Sequence, residues 1–246
     1  MNNDITVVLN GYKRPANLKE QFDAVTTSTI QPKHIMYWQN SMPGVQYDNT
    51  YINKCVSSIS NTNFGVWSRF YYALNARTNW VCIFDDDTIP GKKWFENCLE
   101  TQKNHPGLHT TIGVIINNSN FGYEKRIGWD NPNEKAEMVD YGGHAWFFHR
   151  DMITHFCREL PPINHEFSVG EDMHFSWMLQ KYSEYKTWVP PHPLSDREMW
   201  GSLKGWEYGG DAVATAGNGG IPHMAKYFKY AYNNGFKMLL GDKVAS

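Results

Sequence analysis

Residues Trp80-Val81-Cys82-Ile83-Phe84 form an unbroken apolar run that stops at Asp85-Asp86-Asp87. A short run with no polar alternation is a strand covered on both faces, which places it inside an α/β sheet. Three adjacent carboxylates repel one another, and stability gives no reason to set them at the end of a buried strand. A hard divalent cation resolves the conflict through oxygen ligands and can also bridge phosphate oxygens. In open α/β sheets ligands bind outside the carboxyl ends of the strands, where this triplet falls. The plain alternative is a solvated acidic turn that caps the next helix.

The rest of the chain repeats this alternation. Strands are predicted at Ile5 to Asn10, His34 to Trp38 and Val56 to Ile59. Helices are predicted from Pro15 with Leu18, Phe22 and Val25, over Val66 to Ala76, and after Pro90-Gly91 with Trp94, Phe95, Cys98 and Leu99. Such alternation implies a mixed α/β fold with a mostly parallel sheet flanked by helices. The second half is less regular, with strands at Thr111 to Ile116, Tyr141 to His149 and Tyr185 to Val189. Residues 117–137 read as a polar excursion or small hairpin, and Asp151 to Arg158 as a short helix. Pro161-Pro162 then lead to an amphipathic helix after Gly170, and Pro222 to Leu240 form a last helix. Pro190 to Gly220 is rich in Gly and Pro and reads as a lid loop. No composition shift marks a boundary. The expectation is one domain over residues 1–246, with a nucleotide-binding half up to residue 105 and an acceptor half after it.

Composition narrows the function. The formal charge is -2, so there is no global basic excess to draw nucleic acid. No apolar run approaches the roughly 18 residues of a membrane span. Cys55, Cys82, Cys98 and Cys157 are far apart and read as free thiols, which points to an intracellular protein. Aromatic residues make up 15% of the chain, with 10 Trp, and this suggests flat ligands such as bases or sugar rings.

A second acidic motif, Gly170-Glu171-Asp172, opens a predicted helix. Acids are favoured there by the helix dipole. A carboxylate beside a metal-bound diphosphate would also serve as a general base, so Asp172 and Glu171 are the catalytic candidates. Tyr12 and Arg14 after the first strand, Asn40 after the second and Arg69 before the fourth are placed to hold a nucleotide, with Asp85 and Asp86. The triplet Asp85-Asp86-Asp87 as a whole is the expected metal- and phosphate-binding element. His192 downstream is the candidate for a further ligand, with His223 second.

Together these segments resemble a nucleotide-sugar glycosyltransferase of the GT-A fold, most closely the exostosin-like glycosyltransferases. The likeness rests on Val7 to Arg14, Tyr37 to Asn40, Arg69, Phe84 to Thr88, Ala145 to Phe148 and Glu171 to Met173. It implies a DXD-type site in which Asp85 touches ribose or metal and Asp87 ligates Mn²⁺ (or Mg²⁺) on the diphosphate of a donor, expected to be a UDP-sugar. Tyr12, Arg14, Asn40 and Arg69 would line the nucleotide, and Asp172 would face the sugar–acceptor junction. The acceptor hydroxyl stays open among saccharide, protein and modified nucleobase in DNA. The chain is short and lacks a membrane anchor, so a free cytoplasmic enzyme of a microbe or virus is expected. Two other readings stand beside it: a metal-dependent phosphohydrolase or nucleotidyltransferase built on the same Asp85-Asp86-Asp87, and a non-enzymatic carbohydrate-binding module suggested by the Trp and Tyr content, which gives no reason for the two acidic motifs.

Overall fold

The computed structural model describes residues 4–117, 120–160, 169–214 and 220–241, with backbone alone for 220–223. Pro161-Pro162 and the side chain of His223 therefore lie outside the described residues. The first half runs β1 (Ile5–Gly11), α1 (Asn17–Thr26), β2 (His34–Gln39), α2 (Asn49–Ile52), β3 (Val56–Ile59), α3 (Ser68–Ala73), β4 (Trp80–Phe84) and α4 (Trp94–Gln102). The second half runs β5 (Gly107–Ile116), β6 (Tyr123–Gly128), β7 (Glu137–Val139), β8 (Tyr141–His149), α5 (Ile153–Phe156), α6 (Glu171–Tyr182), β9 (Lys186–Val189), α7 (Trp206–Gly209) and α8 (Gly220–Asn233).

Nine strands join in one mixed sheet of order β3-β2-β1-β4-β8-β5-β9-β7, with β6 added to β5. Strands β3, β2, β1 and β4 are parallel, and β9 is parallel to β5. Side-chain alternation sends the two faces of the sheet into two cores. Val8, Val81, Ile83, Trp146 and Phe148 face α3, α5, α6 and α8. Val7, Leu9, Cys82, Phe84, Ala145 and Phe147 face α1 and α4. Both faces being covered explains why β4 is apolar without interruption and why β1 and β8 are largely apolar. Helix α6 is buried on almost every side, between β8, α5 and α8, and so is apolar around much of its circumference.

The topology gathers one edge of the sheet. Gly11 pairs with Gln39 and Leu9 with Phe84, so β1, β2 and β4 end together. Strand β8 runs antiparallel to β4, with Phe84 opposite Ala145, and its first residues meet the last residues of β4 at that edge. The order also reverses around β1, which opens the crevice where such sheets bind ligands.

The polar excursion contributes two strands, β6 on β5 and β7 on β9. The segment after β9 is tied down through Leu203. Asn97 Nδ2 donates to the carbonyls of Pro191 and Met199 at 2.8 and 2.9 Å. Gly91 N and Leu203 N bond Trp200 O and Ile89 O at 2.9 and 2.7 Å. Of the expected lid, residues 190–203 are therefore part of the body. Residues 204–214 cross the carboxyl edge of the sheet, and 215–219 lie outside the described residues. All four cysteines are free, and no helix among the described residues is long and apolar enough to cross a membrane.

Three histidines are buried in this body with both ring nitrogens or one of them bonded. His174 accepts from Tyr227 OH at 2.7 Å and donates to Phe156 O at 2.9 Å. His192 donates to Pro190 O at 2.7 Å, and His109 bonds His105 O at 2.8 Å. Burial holds each down to about 4. The unfolded chain takes up these protons near 6.5 and the folded chain only near 4, so between those values the unfolded state binds more protons. Stability is then lost as pH falls through that window, each histidine contributing on the order of 3 kcal/mol. Raised acids and a raised histidine elsewhere in the chain contribute with the opposite sign, so the rings themselves are the probe: in NMR the imidazole shifts of His109, His174 and His192 should stay constant from about pH 7 to about pH 5. Titration of these rings near 6.5 would contradict the neutral, buried assignment.

Candidate active site at the carboxyl edge of the sheet

Strand β4 ends at Phe84, and the chain turns through Asp85, Asp86 and Asp87 with Thr88 buried behind them. The turn is held from α1. Gln21 Nε2 donates to the carbonyls of Asp85 and Thr88 at 2.7 and 2.8 Å, and Asn17 Nδ2 donates to Asp86 O at 3.0 Å. From the other side, Asp85 N donates to His144 O at 2.9 Å, which extends the β4–β8 ladder by one step.

That step brings in His144. A ligand atom from each of Asp85, Asp87 and His144 lies within 4.8 Å of the others. His144 sits at φ 64, a left-handed backbone that a non-glycine residue adopts at a cost of order 1–3 kcal/mol. The imidazole Nδ1 lies 3.3 Å from Asp87 Oδ1. Burial would push Asp87 up, but His144, Arg14 and the Thr88 hydroxyl hold it down to about 2. Burial likewise works against the charged His144 ring, and Asp87 overcomes it, so His144 is raised. Asp85 is carried up to about 7 by burial, with Arg69 opposing and Asp87 adding to the rise.

The other expected residues divide by what already holds them. Arg69, 3% exposed, is a bridge: its Nη2 lies 3.0 Å from Asp85 Oδ1 and 2.7 Å from Glu171 Oε1. Its Nη1 donates to Val66 O at 2.6 Å, and its guanidinium lies 4.9 Å from the ring centre of Trp146. Arg14 donates to Asp86 Oδ1 at 2.6 Å and grips Asp211 with two bonds of 2.7 and 2.8 Å. Asp86 also accepts from Lys13 N at 3.4 Å and so faces the β1 end rather than the Asp85–Asp87–His144 group. Asn40 is buried, and its side chain is spent on Phe64 N, Trp38 Nε1 and Gly65 O. Tyr12 is half-buried and accepts from Asn63 Nδ2 at 3.0 Å.

His192 requires a correction. It is fully buried, its Nδ1–H goes to Pro190 O, and its Nε2 faces the Thr111 hydroxyl at 3.1 Å and Gly201 N at 3.3 Å. Those bonds fix its tautomer inside the body, and it does not join Asp85 and Asp87. Among the described residues it is the His144 ring that comes within ligand range of Asp85 and Asp87. The sequence signal for His144 was its position after Gly142-Gly143 at the start of an aromatic strand, but antiparallel pairing with β4 is not visible in local pattern. Asp211 was missed for the same reason, since it reaches Arg14 across 197 residues.

Helix α6 supplies the second acidic pair. Gly170 precedes it at φ 111, where a Cβ would fall 2.5 Å from Tyr227, so glycine is required for this entry. Glu171 Oε2 accepts from Gly170 N at 3.0 Å while Oε1 is held by Arg69. Asp172 is half-buried, and no side chain among the described residues bonds its carboxylate. Burial and then Glu171 raise it well above the usual carboxylate range. Its Oδ2 lies 3.1 Å from where a Cβ on Gly143 would stand, beside His144.

The donor set is chemically coherent for a divalent cation. Among the described residues, the cationic partners of Asp85, Asp86, Asp87, Glu171, Asp172 and Asp211 are Arg14, Arg69 and His144. Two carboxylates with one imidazole suit Mn²⁺ better than Mg²⁺, which prefers oxygen alone. A separate cavity of about 650 Å³, lined by Lys93, Glu100, His105 and Lys135 among others, shares no residue with this group.

No protein-family model and no curated protein sequence matches the chain. Solved structures do. TarS 1–349 from S. aureus superposes with a TM-score of 0.55 at 15% identity, covering 77% of this chain and 58% of that one. The same protein in complex with UDP-GlcNAc gives a TM-score of 0.52 at 11% identity, covering 94% and 73%. A mannosyltransferase from Pyrobaculum calidifontis in complex with GDP-Man and Mn²⁺ gives 0.50 at 14% identity, covering 94% and 76%. The chain spans 58% and 35% of the lengths of two of the TarS structures. At these identities the likeness establishes the fold: the mixed α/β sheet flanked by helices has the GT-A architecture of glycosyltransferase structures.

Removing Arg69 should show what holds the edge together. Arg69→Met keeps much of the side chain's bulk but leaves Asp85 and Glu171 facing each other without a cation. Breaking a buried pair in this way costs on the order of 3 kcal/mol. Urea denaturation should register that loss. An unchanged midpoint would mean that the two carboxylates do not depend on Arg69.

Proposed function

We propose that the chain is a metal-dependent glycosyltransferase that moves a sugar from a nucleoside-diphosphate sugar, a UDP-sugar in the first instance, to an acceptor hydroxyl. The observation that carries this reading is the convergence of Asp85, Asp87 and His144 beside Asp172, an acid left unpaired by side chains among the described residues. Support comes from the GT-A architecture shared with structures that hold UDP-GlcNAc, or GDP-Man with Mn²⁺.

Asp85, Asp87 and His144 would hold the cation. Bound there, Mn²⁺ supplies positive charge against the diphosphate of the donor and offsets the repulsion among the surrounding carboxylates. The chain's own residues do the rest. Arg69 fixes Asp85 and Glu171, and Arg14 fixes Asp86, so the aspartate turn is held in place before substrate arrives. Tyr12 borders the nucleotide at the end of β1, and Asn40 shapes the neighbouring turn through Phe64 and Gly65. Asp172, whose ionised form a cation bound beside it would favour, takes the proton of the acceptor hydroxyl as the hydroxyl oxygen bonds to the anomeric carbon. The bond from that carbon to the diphosphate breaks, and the nucleoside diphosphate leaves with the electron pair. Glu171, clamped by Arg69, positions Asp172. The free cysteines suit a reducing, intracellular setting for this activity.

Calorimetry with UDP, with and without Mn²⁺, tests the donor half of this reading. Wild type should bind UDP in a Mn²⁺-dependent manner, and Asp87→Asn should lose most of that dependence. Full metal dependence in Asp87→Asn would move the cation elsewhere, and no metal-dependent nucleotide binding in wild type would sink the transferase reading.

Asp172→Asn tests the acceptor half. It should leave Mn²⁺–UDP affinity nearly intact and slow sugar transfer by about 10²–10⁴-fold, the range of a general base. If it abolishes UDP binding, Asp172 belongs with the metal ligands. If turnover is unchanged, it only caps α6.

A further inference from the structure

We propose that the open face of Trp206 is the acceptor subsite and that the acceptor it takes is a neutral saccharide. This rests on the transferase reading above and adds the class of the second substrate.

Helix α7 is one turn long and links the proposed subsite to the metal-ligating group. At its end, a Cβ on Gly209 would lie 3.4 Å from His144 Cε1 and 3.8 Å from Asp87 Oδ2. At its start stands Trp206, 53% exposed. The indole is held firmly for so exposed a ring. Its Nε1 donates to Asp130, the Arg126 guanidinium lies 4.7 Å from the ring centre, and Trp129 meets it edge-on at 5.4 Å. Gly205, at φ 45, lets the chain press onto Trp129, since a Cβ there would fall 2.8 Å from the ring. Trp129 in turn meets His144 edge-on at 5.5 Å. A large aromatic side chain fixed in place while half its surface faces water does little for the core. It offers a rigid apolar face to a ligand.

Charge decides what that ligand is. A nucleic acid needs free cations for its phosphates. Among the described residues, three cations on the elements that carry this shelf are paired: Arg126 Nε lies 2.7 Å from Asp130, Lys125 lies 2.8 Å from Glu137, and Lys204 lies 3.3 Å from Glu207. The same carboxylates are acceptors for hydroxyl groups. A saccharide matches both features, with a C–H face for the indole and hydroxyls for the rim.

Saturation-transfer NMR on the whole protein with Mn²⁺ and UDP, using lactose, cellobiose and maltotriose as probes, tests this. At least one probe should bind through its ring protons. Trp206→Ala should weaken it about tenfold and Trp206→Phe by less, the scale of one aromatic contact. Metal-dependent UDP affinity should stay within about twofold of wild type in both variants, since the ring touches neither Asp85 nor Asp87. The proposal is overturned if none of the three binds, if Trp206→Ala binds as wild type does, or if a single-stranded oligonucleotide binds there with steep salt dependence. Failure of metal-dependent UDP binding in wild type is a separate result. It removes the donor reading, while the Trp206 comparison still decides whether this face holds a sugar.

Discussion

Electrostatic repulsion at one edge of the sheet governs this protein. The carboxylates of Asp85, Asp86, Asp87, Glu171, Asp172 and Asp211 crowd the ends of β1 and β4 and the start of α6. Two guanidinium groups and one imidazole are set against them. Such an excess survives in a folded chain where rigid neighbours hold each charge in place and where the remaining repulsion is relieved by proton uptake, as at the raised Asp85 and Asp172, or by a further cation. Arg14 and Arg69 provide the first condition by opposite means. Arg14 reaches from the end of β1 to Asp86 and across to Asp211, while Arg69 reaches from α3 to Asp85 and Glu171 with its flat face on Trp146.

The fold reads as the support for that arrangement. Parallel pairing of β1 with β4 puts the aspartate turn at the carboxyl edge, and antiparallel pairing of β4 with β8 delivers His144 to the same place. Burial of α6 on several sides fixes the direction in which Glu171 and Asp172 emerge. The segment that carries α7 then crosses the edge and brings Gly209 and Trp206 beside the same group. The left-handed His144 and the glycine entry to α6 are local costs accepted where these elements meet.

Much of this was legible in the sequence, and what was not has a common cause. Strands β4 and β8 coincide with the apolar runs Trp80 to Phe84 and Tyr141 to His149, because full burial on both faces writes itself into local composition. The placement of Asp85 and Asp87 at the carboxyl edge was legible for the converse reason: a charged triplet directly after such a run marks where the buried strand ends. Strand β7 was not read, since three residues between polar segments carry no period. His144 was passed over in favour of His192 because the distinction depends on which strand lies beside β4. Arg14 and Arg69 were read as ligand-binding cations, and the structure shows them occupied by carboxylates, a partnership set by tertiary contact. The loop after β9 looked like a lid through its Gly and Pro content, but Trp200 and His192 anchor its first part in the body.

The central claim is that one divalent cation completes the Asp85–Asp87–His144 group and meets the nucleotide there. A crystal grown with Mn²⁺ and UDP, with anomalous data collected above the manganese edge, tests it most directly. The account predicts a single strong anomalous peak bonded to side-chain atoms of Asp85, Asp87 or His144 and to an oxygen of the diphosphate. A peak at His192 or in the cavity beside α4, or UDP bound at this edge with no manganese, would contradict it.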